Sequence, residues 1–268
     1  MRILSNENAR NFLVNYQNLN GHGDYEGEFG VQKYIEKVGC IQYDPLNVVG
    51  RNPDLVLQAR VRNYKEEDLF NLLYDKRILV DGTDKVLSIF LLKDYPKMTR
   101  IREATIEELK STLRYRGSLS ALEILDEIKE FIRNNGAQTA NSIDIGGRAT
   151  SGRWGHKKLS SAGLDFLFHS GQLGIRTKQK TQKVYDLSEN LFPKHILTKE
   201  DPFLNEKEFL KWYIKRRVGS IGLVWNKNGG AWVGHYIQNK NLRMEIIHEL
   251  VEEGELLTYQ IEGSKEVY

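Results

Sequence analysis

Cysteine is almost absent from this 268-residue chain, since Cys40 is the only one. A single cysteine excludes an internal disulfide and a cysteine-based metal site, and it agrees with a reducing compartment. No apolar run approaches the roughly 20 residues that a membrane-spanning helix needs. The first residues also lack the apolar core of a secretory signal. We therefore expect a cytoplasmic protein with no membrane span.

Familiar catalytic and metal-binding patterns are missing as well. The six histidines have no spacing that suggests a shared metal site. The chain contains neither a Gly-x-Ser-x-Gly nucleophile elbow nor the pattern of a zinc deaminase. The sequence thus predicts a protein that uses no metal and no cofactor.

Positive charge is unevenly distributed along the chain. The formal net charge is only +3, but residues 145–185 carry +7 and the remainder −4. A basic segment in an acidic chain is typical of a surface that binds a polyanion. The simpler alternative is a solvated charged face.

Apolar periodicity predicts a mainly α-helical protein with small β-hairpins, which is an α+β fold. Residues 4–19 show the spacing of an amphipathic helix. A second helix carries Val31, Tyr34, Ile35 and Val38, and Gly39 ends it. Residues 40–46 then read as a short strand.

The middle of the chain has the element order of a winged helix, a helix-turn-helix variant with a hairpin. The helices are expected over 105–115, 120–133 and 157–169. Residues 172–187 read as two strands joined by a polar turn at 178–181.

An internal repeat supports a tandem arrangement. A shift of 83 residues aligns the pairs Gly171/Gly254, Leu173/Leu256, Val184/Val267 and Tyr185/Tyr268. The later copy should have helices over 206–218, 220–226 and 242–253, and its last strand stops close to its end. We expect three winged-helix-like segments, at residues 1–100, 101–195 and 200–268.

Gln42 and Asp44 are the candidate catalytic residues. Side chains two apart on a strand share a face, so these two would point the same way. A carboxylate beside a carboxamide can hold and polarise one water molecule, which is useful in hydrolysis. The alternative is an edge strand with two solvated polar residues.

Several basic residues are candidate phosphate contacts. Arg51 and Arg60 lie near Asp44 in sequence, with an ion pair to Asp44 or Asp54 as the alternative. The loop before the third helix of the middle segment offers cations together with Trp154, which can stack or wedge; its alternative is a structural tryptophan under a solvated loop. The other candidates in this segment are Arg148, Arg153, Lys157, Lys158, Lys178, Lys180 and Lys183. The last wing is mainly acidic, so only the middle wing looks suited to binding phosphate.

Four features together resemble the AlkZ/AlkX (YcaQ-like) family of bacterial DNA glycosylases. They are the Gln-x-Asp strand, the run Val48-Val49-Gly50-Arg51, the tryptophan-lysine loop and the segment 184–187. The motif Gln42-Tyr43-Asp44 is similar to the AlkX-like form of the family's catalytic signature. Two departures are Thr83-Asp84-Lys85, where many members have Trp-x-His, and a C-terminal β-barrel that these residues do not include.

The resemblance implies a fold, an activity and a partner. Members have tandem winged helices that form a C-shaped clamp on double-stranded DNA, and they excise guanines alkylated at ring nitrogen seven, including interstrand crosslinks. We therefore expect a monomeric, nucleoid-associated base-excision-repair glycosylase. Asp44 would supply negative charge near an oxocarbenium-like sugar, and Gln42 would orient the water.

The sequence is also compatible with two other functions. One is a winged-helix DNA-binding or regulatory protein without chemistry. The other is a protein-interaction array, because winged helices also bind proteins.

Overall fold

The structure is a computed structural model that describes residues 2–21, 23–44, 46, 48–149 and 158–268. The helices are α1 (Asn6–Tyr16), α2 (Gly27–Val38), α3 (Asn52–Gln58), α4 (Glu66–Phe70), α5 (Thr99–Tyr115), α6 (Leu125–Asn135), α7 (Leu159–His169), α8 (Ser188–Leu191), α9 (Lys194–Leu197), α10 (Glu206–Ile221) and α11 (Lys240–Glu252). The strands are β1 (Arg2–Leu4), β2 (Cys40–Gln42), β3 (Leu79–Thr83), β4 (Leu87–Leu91), β5 (Gln138–Thr139), β6 (Leu173–Gln179), β7 (Gln182–Leu187) and β8 (Tyr259–Ile261). Helices with small sheets confirm the predicted α+β class. A π-helical turn (Asn71–Asp75) and 3₁₀ turns (Leu92–Met98, Leu119–Leu122 and Gly230–Trp232) complete the set.

The chain forms two compact units that are not contiguous in sequence. Unit 1 contains Met1–Leu72, Asp84–Leu91 and Pro202–Tyr268. Unit 2 contains Leu73–Thr83 and Leu92–Asp201. The predicted division into three consecutive segments stays a prediction.

Unit 1 joins the two ends of the chain. β1 pairs in parallel with β8, with Ile3 opposite Gln260. At the end of α1, the Tyr16 hydroxyl donates a 2.6 Å hydrogen bond to the Gly219 carbonyl of α10. Gln17 donates to the next two carbonyls of the same helix end. The last carbonyls of α10, which have no partner within the helix, are thus satisfied by α1 and the residue after it.

The strand that carries Gln42 is shorter than the sequence predicts. β2 pairs antiparallel with β4, with Gln42 opposite Ser88. The ladder continues for one more bond, from the Tyr43 amide to the Leu87 carbonyl. Asp44 lies beyond the strand, and its carboxylate accepts a local 2.9 Å hydrogen bond from the Leu46 amide. Such local bonds compete with ladder pairing.

Unit 2 contains the expected order of helices followed by a hairpin. α5, α6 and α7 precede β6 and β7, and β5 adds a third strand in the order β5-β7-β6. Lys180 turns the hairpin with a positive φ of +59°. Ile128 on α6 packs closely on Gly163 of α7, where an added Cβ would lie 2.6 Å from the Ile128 Cδ1 atom.

The 83-residue repeat is visible in the hydrogen bonds that end two helices. After α7, the Gly171 amide donates to Phe168 and the Gln172 amide to Leu167. After α11, the amides of residues 254 and 255 donate to residues 251 and 250, which is the same pattern shifted by 83. Gly171 and Gly254 have φ values of +79° and +76°, the left-handed conformation that favours glycine. The aligned glycines therefore end the two helices in the same way.

Several predicted helix boundaries were wrong. No separate helix forms over 220–226, because α10 continues to Ile221 and ends at Gly222, whose φ is +95°. The helix expected at 105 already begins at Thr99. The helix expected over 120–133 is a 3₁₀ turn (Leu119–Leu122) followed by α6. No helix in the described part of the chain is both long and apolar enough to cross a membrane.

Candidate active site

Gln42 and Asp44 lie on the accessible side of a short extended segment. Ile41 and Tyr43 are buried in unit 1, whereas Gln42 is exposed and Asp44 is half-buried. The period-two alternation predicted from the sequence thus persists for two residues past the strand, to Asp44. The Leu46 amide hydrogen bond fixes the Asp44 carboxylate through Oδ1. A fixed carboxylate beside an exposed carboxamide is suited to positioning a water molecule.

A buried ionic cluster lies next to the start of this segment, at Gly39 and Cys40. The Asp84 side chain is only 2% exposed and faces two arginines of α10. Its carboxylate accepts hydrogen bonds from the Tyr213 hydroxyl at 2.8 Å, Arg217 at 3.1 Å and Arg216 at 3.2 Å. Burial acts to raise the pKa of the Asp84 carboxyl, but the two guanidinium groups and the tyrosine outweigh it and lower that pKa. Asp84 is therefore a buried anion held by two cations.

The same cluster contacts the start of β2. Arg216 also donates a 2.7 Å hydrogen bond to the carbonyl of Gly39, the residue before the strand. Gly39 has a φ of +80°, and a Cβ there would lie 2.9 Å from Arg216. Burial, with the Asp84 charge adding to it, raises the pKa of the Cys40 thiol to about 12. Cys40 is thus a half-buried, protonated thiol next to Asp84.

Arg51 and Arg60 are both engaged within the protein. Arg51 forms ion pairs with Asp54 at 2.6 Å and Glu66 at 2.8 Å, so the alternative of an ion pair with Asp54 is the one that the structure shows. Arg60 lies over the Tyr34 ring at 5.6 Å and donates to the Val56 carbonyl. Their predicted role as phosphate contacts stays a prediction.

The predicted basic wing contains one lysine that is not a surface group. The Lys178 Nζ is 2.6 Å from the Asp81 carboxylate, and both side chains are at most 5% exposed. The Tyr74 hydroxyl donates to the other Asp81 oxygen. The expectation that Lys178 presents its charge to DNA is therefore corrected, because the lysine neutralises a buried aspartate.

The remaining basic candidates in unit 2 differ in exposure. Lys180 and Arg148 are exposed. Lys183 is half-buried with its ammonium 4.7 Å from the Phe168 ring centre, and Lys158 is 3.6 Å from Asp144. Arg153, Trp154 and Lys157 lie outside the described residues.

The comparisons with known proteins decide the family. The model of the family described as DNA glycosylase AlkZ-like matches residues 35–268, which include the Gln-x-Asp segment and the Asp84 cluster. The chain belongs to the AlkZ-like DNA glycosylase family. This confirms the family that the residues suggested. The fold is similar to that of the Streptomyces sahachiroi DNA glycosylase AlkZ, with a TM-score of 0.58 over 96% of this chain and 67% of that one. At 11% identity this likeness establishes the fold alone. No curated protein matches the chain by sequence.

Membership of the AlkZ-like family makes this chain a DNA glycosylase with DNA as its partner. Within the described residues, no group of three or more His, Cys, Asp and Glu side chains is placed to hold a metal ion. In the sequence, Asp84 stands out only as a departure from the pattern of the resembled family. Its partners, which lie about 130 residues later, carry no local signal that could have linked them to it.

Proposed function

We propose that this AlkZ-like protein is a monofunctional glycosylase for guanine alkylated at ring nitrogen seven, including bulky and interstrand-crosslinked adducts. The observation that carries the proposal is the accessible pair Gln42 and Asp44 on a segment whose other side is buried. The motif Gln42-Tyr43-Asp44 also matches the Gln-x-Asp signature expected from the AlkZ/AlkX resemblance. We also infer that it acts as a monomer on duplex DNA.

The chemistry that this pair can perform is hydrolysis of the glycosidic bond. A guanine alkylated at nitrogen seven is cationic, so the electrons of the broken C1′–N9 bond neutralise the departing base. The sugar then gains positive charge, which a nearby carboxylate stabilises. Gln42 orients a water that attacks C1′, and Asp44 accepts its proton. The products are the free alkylated base and an abasic site.

Single-turnover excision from a duplex with one 7-methylguanine tests the proposal. Asp44→Asn should slow base release by about 10²–10³-fold, the usual effect of removing one transition-state electrostatic contact. Gln42→Ala should also slow it, whereas Asp24→Asn, which changes an exposed acid of the same unit, should not. Wild-type rates in both site variants would contradict the catalytic assignment.

Two further measurements separate the alternatives. A monofunctional enzyme leaves no covalent adduct when borohydride is added during turnover, so a trapped adduct would exclude that mechanism. DNA affinity without base release from any alkylated duplex would favour a DNA-binding protein that performs no chemistry.

A further inference from the structure

Three exposed apolar side chains lie within the five residues after Asp44. Leu46 is 70% exposed, Val48 89% and Val49 86%. Burial of apolar surface is the main favourable term in folding, and an exposed apolar cluster marks an interaction site more often than an isolated residue does. These three residues, called the apolar loop below, are thus available to a partner.

Hydrogen bonds and ion pairs fix the chain at both sides of the apolar loop. On one side, the Leu46 amide donates to Asp44. On the other, Arg51 is held by Asp54 and Glu66, and the buried Asp54 also accepts a hydrogen bond from Tyr64. Anchored ends lower the entropy that must be lost when a loop binds.

Duplex DNA is the partner that fits this position. Glycosylases that act on a base within a stacked duplex rotate its nucleotide out, a movement that is open to a guanine joined to one strand only. Proteins that open a base stack insert apolar side chains between the bases. The apolar loop begins two residues after Asp44, and a hydrogen bond joins it to that carboxylate. A side chain inserted there acts on the same nucleotide as Asp44.

We propose that Leu46, Val48 and Val49 form a wedge that enters the base stack at a lesion joined to one strand only, such as 7-methylguanine, and fills the space left by the rotated nucleotide. This inference rests on the proposed function, because it takes Asp44 to lie at the glycosidic bond. Asp44 and Gln42 then perform the chemistry, while the apolar loop stabilises the opened duplex.

The test measures duplex opening separately from chemistry. A duplex carries a cleavage-resistant 2′-fluoro-7-methylguanine nucleotide next to 2-aminopurine, whose fluorescence rises when stacking is lost. Wild-type protein and Asp44→Asn should raise the fluorescence equally. The double variant Val48→Ser and Val49→Ser should raise it little. Leu204→Ser is the matched control, since Leu204 is 89% exposed in the same unit.

Excision kinetics provide the second readout. The double variant should release 7-methylguanine from duplex DNA roughly 10–100-fold more slowly, because opening costs a few kcal/mol. It should act on the same lesion in single-stranded DNA at close to the wild-type rate. An equal loss on both substrates, or normal opening by the double variant, would overturn the wedge.

The outcomes distinguish this inference from the proposed function. If Asp44→Asn excises normally but the double variant cannot open the duplex, the catalytic assignment fails and the wedge stands. If wild-type protein sediments as a dimer, the double variant is a monomer and opening is unchanged, the apolar loop binds a second copy and the wedge is refuted.

Discussion

Asp84→Asn should destabilise unit 1 strongly, because it removes the only negative charge shown between two buried arginines in the described structure. The Asp84, Arg216 and Arg217 side chains are 2%, 10% and 8% exposed. Removing one partner of a buried ion pair costs about 3–5 kcal/mol, since the other charge is left uncompensated. Domains are stable by only about 5–15 kcal/mol, so this loss is a large fraction of the total.

Urea unfolding followed by tryptophan fluorescence measures the loss. Three of the four tryptophans, Trp212, Trp225 and Trp232, lie in unit 1, and Trp212 is 5.4 Å from the Arg216 guanidinium. A Trp154→Phe background makes the signal specific for unit 1. The control is Glu255→Gln, which breaks an exposed pair with Lys215 in the same unit and should cost less than about 1 kcal/mol.

Acid unfolding independently checks the direction in which the stability contributed by Asp84 depends on pH. The pKa of Asp84 is lowered in the folded protein, so the unfolded chain takes up this proton first as the pH falls. The stability from Asp84 is therefore fully present above the unfolded pKa of about 3.9 and is lost as the pH falls through the folded pKa. Asp84→Asn should lack that part of the dependence. A loss below about 1 kcal/mol at neutral pH, with unchanged acid unfolding, would refute the reasoning.

Arg243→Lys should destabilise unit 1 by about 2 kcal/mol in urea unfolding, because the buried guanidinium donates to Asn226, Asn228 and the carbonyls of Ile237 and Gln238, a set that an ammonium cannot reproduce; a change below about 0.5 kcal/mol would contradict this. Lys178→Met should destabilise unit 2 by about 3–5 kcal/mol and leave the salt dependence of DNA binding unchanged. Lys180→Gln should instead lower the slope of log affinity against log salt concentration by about 0.9 without affecting stability. The reverse result would restore Lys178 as a phosphate contact. Burial lowers the pKa of His169, so the unfolded chain binds a proton at this imidazole first as the pH falls. The stability of unit 2 should therefore decrease as the pH falls from about 6.5 towards the folded pKa. This pH dependence should disappear in His169→Gln, and its persistence there would assign it to another group.

Much of the local structure could be predicted from the sequence. The hairpin at 173–187 and the helix ends at Gly171 and Gly254 follow from turn residues and glycines, which act through the backbone of their own segment. The alternation of Ile41 and Tyr43 with Gln42 and Asp44 also follows from period two alone. The mainly helical α+β class and the AlkZ-like family came from the same local patterns and motifs.

What a charged residue does could not be decided locally. Lys178 and Lys180 look equivalent in the sequence, yet one is buried against Asp81, 97 residues away, and the other is exposed. Arg51 had an aspartate on either side in sequence, and folding selected Asp54. The role of a charged residue depends on the partner that folding brings next to it. Neither residue's local sequence shows which distant residue that partner will be.

The sequence by itself determined the Gln-x-Asp segment and the alternation of its side chains, because an extended backbone points successive side chains to opposite faces. Only the tertiary structure decided what supports that segment. Asp84 lies in the short connection between β3 and β4, and Arg216 and Arg217 lie on α10, about 130 residues later. Their buried charges are stable only together, so the support for Gln42 and Asp44 exists only once both ends of unit 1 have assembled.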